Sequence, residues 1–437
     1  MTISNADGRR SAVDIDRDAV AALADTVLGP HHKAVPPSAW GRTVGEYLDT
    51  APELAHWQTP VLTLDAGALA ANTALMADWA ATAGLLLAPH GKTTMAPRLW
   101  RDQLDAGAWG ITLATPWQVQ VGRAFGVRRI LLANAPLDPV GLAWIAGELA
   151  RDPAFEFWCW ADSVATVAAM DRVLAGCPDG PPLRVLVELG GARGRTGART
   201  PAEAHAVAAA IGRSPRLCLA GVGGYEGALA HDRAPESLAV VRGFLDRVAR
   251  LHGELADAYP GPALVSAGGS AYPDLVAEVL GGLAGPGTAV VLRSGAYLAH
   301  DDGFYAAISP LVAPAREPGL RPALHAWARV LSRPEPGLAL LDAGRRDLPF
   351  DLGLPVPQRA DGRAGVLPAE AAVTALNDQH AFLRLPGAAA ADLPVGSVVR
   401  LGISHPCTAF DKWRLLPVID SADAVGPRVV DLVQTFF

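Results

Sequence analysis

The chain has 437 residues, half of them hydrophobic, which excludes a disordered tail or a disulfide-stapled miniprotein and predicts two or three domains. Its 37 basic and 44 acidic residues give a formal net charge of −7, an acidic balance that argues against a nucleic-acid-binding protein. The four cysteines are scattered without a CxxC pair, which argues against a disulfide framework and against a structural zinc finger.

The sequence shows no targeting or membrane segment. Its first ten residues are polar, and no apolar core of a secretory signal follows them. No apolar run reaches the roughly 18 residues of a membrane span without a charge or a breaker. We therefore expect a cytoplasmic protein that binds neither membranes nor nucleic acid.

Nine short apolar runs recur in the first three quarters of the chain, separated by helix-like stretches. Continuous apolar runs of this length predict strands that are buried on both faces. The stretch from Ala66 to Thr82 predicts a helix with Gly84 just past its end, and Thr200 followed by Pro201 predicts a capped helix start. The runs begin at Val61, Leu85, Ile111, Ile130, Phe155, Leu183, Leu217, Ala263 and Ala289.

Repeated βα units predict a parallel sheet, and eight strands would close a (β/α)8 barrel of about 250 residues. One of the nine runs must then lie elsewhere, and the first is the best candidate. The alternative is an open doubly wound sheet. No GxGxxG follows the first strand, which weakens a dinucleotide-binding interpretation.

The pattern changes after about Pro310, where short apolar segments separated by Gly, Pro and Asp predict an antiparallel β domain. We therefore expect a (β/α)8 barrel at 59–310 and a β domain at 311–437. We expect residues 1–58 to form one or two helices that pack on the β domain or on a partner.

Lys92 is the first candidate for chemistry, because active sites of parallel barrels lie at the C-terminal ends of the strands. It follows the second apolar run within the segment Pro89-His90-Gly91-Lys92-Thr93-Thr94. An amine at a barrel mouth loses part of its hydration and becomes more nucleophilic. The ordinary alternative is a solvated loop lysine, but the chain has only three lysines.

Three glycine-bearing strand exits are candidate anion sites. Two follow the last barrel runs, at 266–270 and 293–297, where barrels commonly bind phosphate through backbone N–H groups. The third, at 188–197, carries arginines that could meet an anion or a ring nitrogen. Ordinary βα turns and a surface loop remain the alternatives.

Two metal-ligand residues lie close together in the predicted β domain. His405 and Cys407 are two residues apart, and in an extended chain both would point to the same side. Imidazole and thiolate are both good zinc ligands, and two ligands leave positions open for water and substrate. The alternative is a buried cysteine beside a chance histidine. His380 belongs to a further polar cluster, as an outer-shell residue or as part of a turn.

Taken together and in order, these motifs resemble the fold-type III pyridoxal-phosphate (PLP) enzymes. Among them, the chain resembles the D-serine dehydratase-like group, which includes D-threonine aldolases and bacterial low-specificity amino acid deaminases. The resemblance runs from about Thr59 to Asp420. The motifs are TPVLTLD from Thr59, PHGKTT from Pro89, LLAN from Leu131, GRTG from Gly194, SAGGS from Ser266, SGAY from Ser294, NDQHAFLRL from Asn377 and SHPCTAFDKWRLLPVID from Ser404.

The resemblance implies an alanine-racemase-like barrel with a C-terminal β domain, assembled as a homodimer. It makes Lys92 the Schiff-base lysine, His90 its neighbour that steers the cofactor, and Arg195 the contact of the pyridine nitrogen. His405 and Cys407 match the family's metal pair. The remaining implied cofactor-binding residues are Tyr225, Ser266, Gly268, Gly269, Ser294, Gly295 and Tyr297.

The implied activity is a PLP- and zinc-dependent dehydratase that converts D-serine-like β-hydroxy D-amino acids to a 2-oxo acid and ammonia. Cys407 favours zinc, because the aldolase branch of the family carries Asp there and uses a harder metal. Thr94 departs from the family pattern, in which many members have His, and this leaves the substrate range open.

Three alternatives remain. They are a D-threonine aldolase, a non-catalytic PLP-binding homeostasis protein, and a barrel enzyme that binds a sugar phosphate. A racemase has no obvious use for the His-Pro-Cys segment.

Overall fold

A computed structural model describes residues 14–361, 365–386 and 393–437 of the chain. The described chain divides into two compact units. The first comprises residues 14–19, 76–92 and 100–295, and the second comprises Val20–Leu75, Thr93–Leu99 and Ala296–Phe437. Among these residues no helix is long and apolar enough to cross a membrane.

The first strand of the chain, β1 (Val61–Asp65), lies in the second unit. It pairs antiparallel with β10 (Leu324–Glu335) and parallel with β17 (Leu415–Ile419). The expectation that the first of nine apolar runs lies outside the barrel is therefore confirmed. The domain boundaries at 58/59 and 310/311 expected from the sequence remain predictions.

The first unit contains an eight-stranded parallel sheet in the order β2-β9-β8-β7-β6-β5-β4-β3. A bridge between His90 and Thr112 joins the two end strands and closes the barrel. The strands are β2 (Leu86–Leu87), β3 (Ile111–Leu113), β4 (Arg129–Leu132), β5 (Glu156–Ala161), β6 (Leu183–Leu189), β7 (Leu217–Gly224), β8 (Ala263–Ala267) and β9 (Thr288–Leu292).

The barrel interior is filled by alternate residues of the strands, as the period of two in a strand requires. Trp158 and Trp160 of β5 pack there together with Leu131, Leu186 and Leu264. The α-helices of the chain are α1 (Arg17–Ala21), α2 (Val44–Leu48), α3 (Ala66–Thr82), α4 (Pro97–Asp105), α5 (Pro116–Ala124), α6 (Pro139–Arg151), α7 (Val164–Leu174), α8 (Pro201–Arg213), α9 (Pro235–Glu254), α10 (Pro273–Leu280) and α11 (Phe304–Ile308).

Helices α5 to α10 follow strands β3 to β8 one for one, and their starts are fixed by local chemistry. Thr200 caps α8 by accepting from Glu203 N while the Glu203 side chain returns to the Thr200 backbone, with Pro201 at the first helical position. Asp138 caps α6 by accepting from Gly141 N at 2.8 Å. Shorter 3₁₀ helices are Ala22–Asp25, Pro37–Ala39, Leu54–His56, Gly91–Thr93, Glu226–Ala228, Ala256–Ala258, Gly281–Leu283, Pro406–Thr408 and Phe410–Lys412.

The second unit is built on a sheet in the order β13-β12-β16-β10-β1-β17-β18, with a branch formed by β11, β15 and β14 next to β10. Its pairs are antiparallel except β1–β17, so the predicted β domain is confirmed. The remaining strands are β11 (Leu338–Leu341), β12 (Val356–Ala360), β13 (Gly365–Val366), β14 (Ala372–Leu376), β15 (Ala381–Arg384), β16 (Val398–Gly402) and β18 (Val429–Gln434).

The residues that precede β1 pack on this sheet within the second unit. Leu28, Val35 and Trp57 share one apolar cluster with Leu415 and Leu432 of β17 and β18. Their own helices are too short to be stable alone, so this burial is what holds them in place.

Candidate functional site

Lys92 lies in the 3₁₀ turn Gly91–Thr93, directly after the strand that closes the barrel. The turn is packed tightly, because a Cβ at Gly91 would lie 2.8 Å from Ile111 Cγ2 and from Trp100 Nε1. Trp100 Nε1 also donates to the Gly91 carbonyl at 3.3 Å. Lys92 is therefore carried on a turn with little room to move.

His90 stands two residues before Lys92, in a positive environment. Burial lowers the pKa of His90 well below its ordinary value, and the charges of Lys92, Arg293 and Arg195 lower it further. The ring is therefore neutral near pH 7. Its Nδ1 atom is buried without a hydrogen-bond partner among the described residues, so this ring has capacity for one more polar contact.

Arg195, Tyr225 and Gly269 come together although they follow three different strands. The Arg195 guanidinium carbon lies 4.5 Å from the centre of the Tyr225 ring. A Cβ at Gly269 would lie 2.8 Å from Tyr225 Cε2, so only glycine fits against that ring. The structure thus brings three of the predicted cofactor-binding residues into one stack.

Gly295 approaches the backbone of the lysine-bearing segment. A Cβ at Gly295 would lie 2.6 Å from the carbonyl oxygen of His90. The Ser294 hydroxyl donates to the carbonyl of Gly269 at 2.6 Å, which ties the two glycine-bearing loops together. The predicted loops after β8 and β9 are therefore neighbours, and the second of them reaches His90.

Glu226 is a buried site residue that sequence reasoning missed. Its carboxylate accepts from Gly268 N at 2.9 Å and from Gly269 N at 2.7 Å. While these contacts hold, the two N–H groups expected to face a phosphate are occupied. The available signal was a charged residue directly after Tyr225, at the end of a buried strand.

Arg293 is a buried cation that follows β9 of the barrel. It is 3% exposed, and it donates to Ser266 Oγ at 2.7 Å and to the Gly224 carbonyl at 2.6 Å. Burial lowers its pKa to about 10, so it remains charged near neutral pH. Ser266 Oγ in turn donates to the Val291 carbonyl at 3.1 Å, so this predicted cofactor ligand is engaged inside the barrel.

His405 and Cys407 interact, but by a different backbone route from the one expected. The interpretation of an extended chain at 405–407 is wrong, because Pro406 opens the 3₁₀ turn Pro406–Thr408. Burial opposes a positive ring, yet Cys407 and Asp351 together raise the pKa of His405 to about 9. A divalent cation bound by the His405 imidazole and the Cys407 sulfur would take the place of the proton between them.

The surroundings of the pair are defined within the second unit. His405 Nδ1 lies 2.7 Å from Asp351 Oδ2, and Thr93 Oγ1 lies 3.7 Å from Cys407 Sγ. No group of three or more His, Cys, Asp or Glu that could hold a metal occurs in the described parts of the chain. Any metal on this pair would therefore keep positions for other ligands.

Two further predicted residues lie in the second unit. Tyr297 is buried, with 2% exposure. His380 belongs to the turn between β14 and β15, where its carbonyl accepts from Asn377 N at 2.8 Å, which agrees with the turn interpretation. Its side chain lines a cleft with Lys33 and Asp347.

Comparisons with known proteins match both units. Residues 323–419 match the family described as "Putative serine dehydratase domain". A D-threonine aldolase from Arthrobacter sp is 29% identical over 371 residues, which are 84% of this chain and 90% of that protein. A 3-hydroxy-D-aspartate aldolase from Paracoccus denitrificans (strain Pd 1222) is 28% identical over 68% of this chain and 75% of its own length.

Solved structures agree in fold. A D-threonine aldolase from Filomicrobium marinum has a TM-score of 0.71 at 24% identity, over 88% of this chain and 96% of its own. A D-threo-3-hydroxyaspartate dehydratase from Delftia sp. HT23 has a TM-score of 0.70 at 22% identity, over 88% and 99%. Two further structures of an enzyme of that name carry histidine-to-alanine and cysteine-to-alanine changes, the latter in a metal-free form.

An alanine racemase from Bacillus anthracis has a TM-score of 0.58 at 16% identity, over 86% of this chain and 98% of its own. The likeness extends through the barrel and the β domain alike. The chain therefore has an alanine racemase-like fold, and its residues 323–419 match the serine dehydratase domain family.

Proposed function

We propose that the protein is a PLP- and zinc-dependent dehydratase that converts D-serine-like β-hydroxy D-amino acids to a 2-oxo acid and ammonia. The observation that carries this proposal is the imidazole–thiolate pair of His405 and Cys407 in a chain whose barrel presents Lys92 at a strand exit. An amine, a cation-lined barrel and a soft metal pair together suit elimination of a β-hydroxyl group.

The barrel residues fit PLP. Lys92 offers the amine, and Gly269 and Gly295 let their loops pack closely against the Tyr225 ring and the His90 backbone, where a Cβ would clash. The buried, unpartnered Nδ1 of His90 and the charges of Arg195 and Arg293 suit an anionic, ring-bearing group. When bound, PLP supplies an electron sink for the charge that develops at the substrate Cα.

Each barrel residue then has a defined task. Lys92 would hold the cofactor, and its amine would remove the Cα proton of the substrate as general base. The neutral ring of His90 orients the cofactor beside Lys92. We assign Arg195 to the pyridine nitrogen, where a permanent cation keeps that nitrogen unprotonated and the electron sink weaker. A metal that assists departure of the β-hydroxyl group is then more useful.

His405 and Cys407 would hold zinc, for which a thiolate ligand is better suited than for a harder metal. Zinc, when bound, polarises the β-hydroxyl and makes it a better leaving group. D-threo-3-hydroxyaspartate dehydratase has been solved as two single-residue variants, one at a histidine and one at a cysteine two residues further on. The cysteine variant is described as metal-free, which supports such a pair in this role.

A D-threonine aldolase is the second candidate. It is favoured by the relative of that name from Arthrobacter sp, which matches 84% of this chain. The aldolase would break the Cα–Cβ bond and release glycine and an aldehyde. Cys407 argues against it, because the resemblance gives the aldolase branch Asp at this position. A homodimer and a cytoplasmic location remain predictions.

Product analysis separates the two candidates. The purified protein is incubated with D-serine and with D-threonine, and the products are identified. We expect pyruvate from D-serine and 2-oxobutyrate from D-threonine, each with ammonia, and loss of both after treatment with a chelator. Glycine and acetaldehyde from D-threonine would favour the aldolase, and activity that survives chelation would remove the metal from the proposal.

A further inference from the structure

The turn that carries the metal pair is tied to one neighbouring segment of the second unit. Asp351 accepts from the Thr408 hydroxyl through Oδ1 at 2.7 Å, and its Oδ2 lies 2.7 Å from His405 Nδ1. The Ser404 hydroxyl donates to the Gly353 carbonyl at 2.8 Å. A single carboxylate thus bridges both ends of the turn on which Cys407 sits.

Asp351 fixes which nitrogen of His405 is free for a cation. A ring that donates from Nδ1 to a carboxylate presents Nε2 as its ligand atom, and the carboxylate makes that nitrogen more basic. Both oxygens of Asp351 are already used, one by His405 and one by Thr408. Asp351 therefore acts on the ring and is not itself placed as a third ligand.

Aromatic rings restrict His405 on its other sides. The Tyr305 ring centre lies 5.7 Å from that of His405, and the Phe304 ring stands edge-on at 6.1 Å. These rings limit tilting, and the hydrogen bond from His405 Nδ1 to Asp351 favours one rotation of the ring. The Asp351 side chain keeps 38% exposure, so water competes for it, and its second bond to Thr408 counters that competition.

We propose that Asp351 is the positioning residue of the metal pair: it orients the His405 imidazole and fixes the turn bearing Cys407 so that both ligand atoms converge on one divalent cation. This inference rests on the proposed function, because it concerns the same zinc site. It adds a residue that lies 54 positions from His405 in the sequence and in no motif of the resemblance.

The first test is the zinc affinity of Asp351→Asn. The PLP-loaded protein is stripped of metal and titrated with zinc against a chromophoric chelator. We expect zinc to bind about 10–100-fold more weakly than to the unchanged protein, the usual cost of losing an outer-shell partner. Asp351→Glu should recover part of the affinity. The visible absorption of bound PLP and the thermal midpoint should not change.

Asp378→Asn is the matched control. It removes one negative charge from the same unit, on a side chain that is 67% exposed and pairs with Arg346 rather than with His405. We expect its zinc affinity to equal that of the unchanged protein. Thr408→Val provides a milder version of the test, since it removes only one contact of Asp351, and it should weaken zinc binding a few-fold.

Cobalt(II) reports on geometry. In the unchanged protein we expect thiolate-to-cobalt absorption from Cys407 together with ligand-field bands. In Asp351→Asn the thiolate band should persist while the ligand-field bands change, because Cys407 still binds but His405 is misoriented. A merely structural role for Asp351 would lower the thermal midpoint and leave the affinity and spectrum of the folded fraction unaltered.

The outcomes are separable. If the unchanged protein binds zinc and Asp351→Asn binds it equally well, the inference is overturned and the proposed function stands. If Asp351→Asn loses PLP absorbance or unfolds while the Thr408→Val protein keeps full zinc affinity, the role is structural and the inference is again overturned. If the unchanged protein binds no zinc, the proposed function fails and the inference fails with it.

Discussion

His90 of the barrel and His405 of the β domain are the same side chain in opposite surroundings. Burial disfavours a charged ring in both places. Around His90 the nearby charges of Lys92, Arg293 and Arg195 are positive, and they push its pKa further down. Around His405 the side chains of Cys407 and Asp351 overcome burial and raise its pKa to about 9. The same ring is therefore neutral in one unit and cationic in the other.

This contrast indicates what each region can bind. A neutral ring beside buried cations suits an anionic ligand, because an anion would relieve the repulsion among the cations. A protonated ring held by a cysteine and a carboxylate suits a metal cation, which would take the place of the proton. The charges around His90 therefore suit PLP, and those around His405 suit zinc. Removing the neighbouring residue that shifts the pKa of either ring should reduce the difference between the two rings.

The largest expected effect comes from removing the amine. Lys92→Ala should abolish visible PLP absorbance and lower D-serine turnover by about 10³-fold or more, since both the attachment and the general base are lost. In the PLP-free protein the pKa of His90 should rise, because one of its neighbouring cations is gone. Turnover assays, absorption spectra and NMR titration of the ring measure these effects.

Lys33→Ala is the control for that change. Lys33 pairs with Asp347 at 3.0 Å in the second unit and is not one of the residues proposed to bind the cofactor. It should keep full turnover and absorbance. Full activity in Lys92→Ala would remove the PLP chemistry from the proposal.

The second-largest effect is expected in the β domain, from removing the Cys407 side chain. Cys407→Ala should weaken zinc binding by more than the roughly 10–100-fold that loss of an outer-shell partner costs, because a direct ligand is lost. In the metal-free protein the pKa of His405 should fall, since the Cys407 side chain that raises it is absent. Competition with a chelator and NMR titration of the ring provide the two readouts.

Cys177→Ala serves as the comparison, because Cys177 donates to the Val173 carbonyl at 3.4 Å in the first unit and lies outside both sites. It should bind zinc as the unchanged protein does. Equal zinc affinity in Cys407→Ala would mean that the metal lies elsewhere or that His405 alone carries it.

The sequence was sufficient for the fold because its signals are local. Each barrel strand is a continuous apolar run, and starts such as Thr200-Pro201 are written in adjacent residues. The place of β1 could be anticipated from the count of nine strands for eight barrel positions. Lys92 and the glycine-bearing loops could be proposed because strand exits converge at one end of a barrel.

The residues that organise the site could not be read from the sequence. Glu226 reaches Gly268 and Gly269 across 42 and 43 positions, and Asp351 reaches His405 across 54. Such contacts depend on how distant loops pack, which no local pattern encodes. The turn at Pro406 was missed for a local reason, since proline also occurs in extended chain.

A smaller effect concerns the acids that offset the barrel cations. Burial raises the pKa of Glu188 from 4.5 to about 7. Below about pH 4.5 the Glu188 carboxyl is protonated in both the folded and the unfolded states, so its titration does not lower the free energy of unfolding. As the pH rises towards 7 the unfolded state releases the proton first, and the folded state loses up to about 3 kcal/mol relative to its stability at low pH.

Glu188→Gln removes this titration and keeps an acceptor for Thr196, which now donates to Glu188 at 2.7 Å. The variant should therefore gain stability relative to the unchanged protein between pH 4.5 and 7, measured by urea unfolding across that range. The exposed Glu370→Gln should show no such trend. A constant difference for Glu188→Gln across this range would mean that the pKa of Glu188 is the same in the folded and unfolded states.

The smallest effect tests the carboxylate that braces the glycine turn. Glu226→Gln keeps one acceptor oxygen but sets an amide NH2 against either Gly268 N or Gly269 N, so one buried donor loses its partner. We expect a loss of about 1–3 kcal/mol in the free energy of unfolding. The exposed Glu236→Gln should change the free energy of unfolding little.

PLP affinity then distinguishes two roles for Glu226. Weaker PLP binding in Glu226→Gln would mean that the carboxylate holds the turn in its binding shape, whereas tighter binding would mean that it competes with the phosphate for the same two N–H groups.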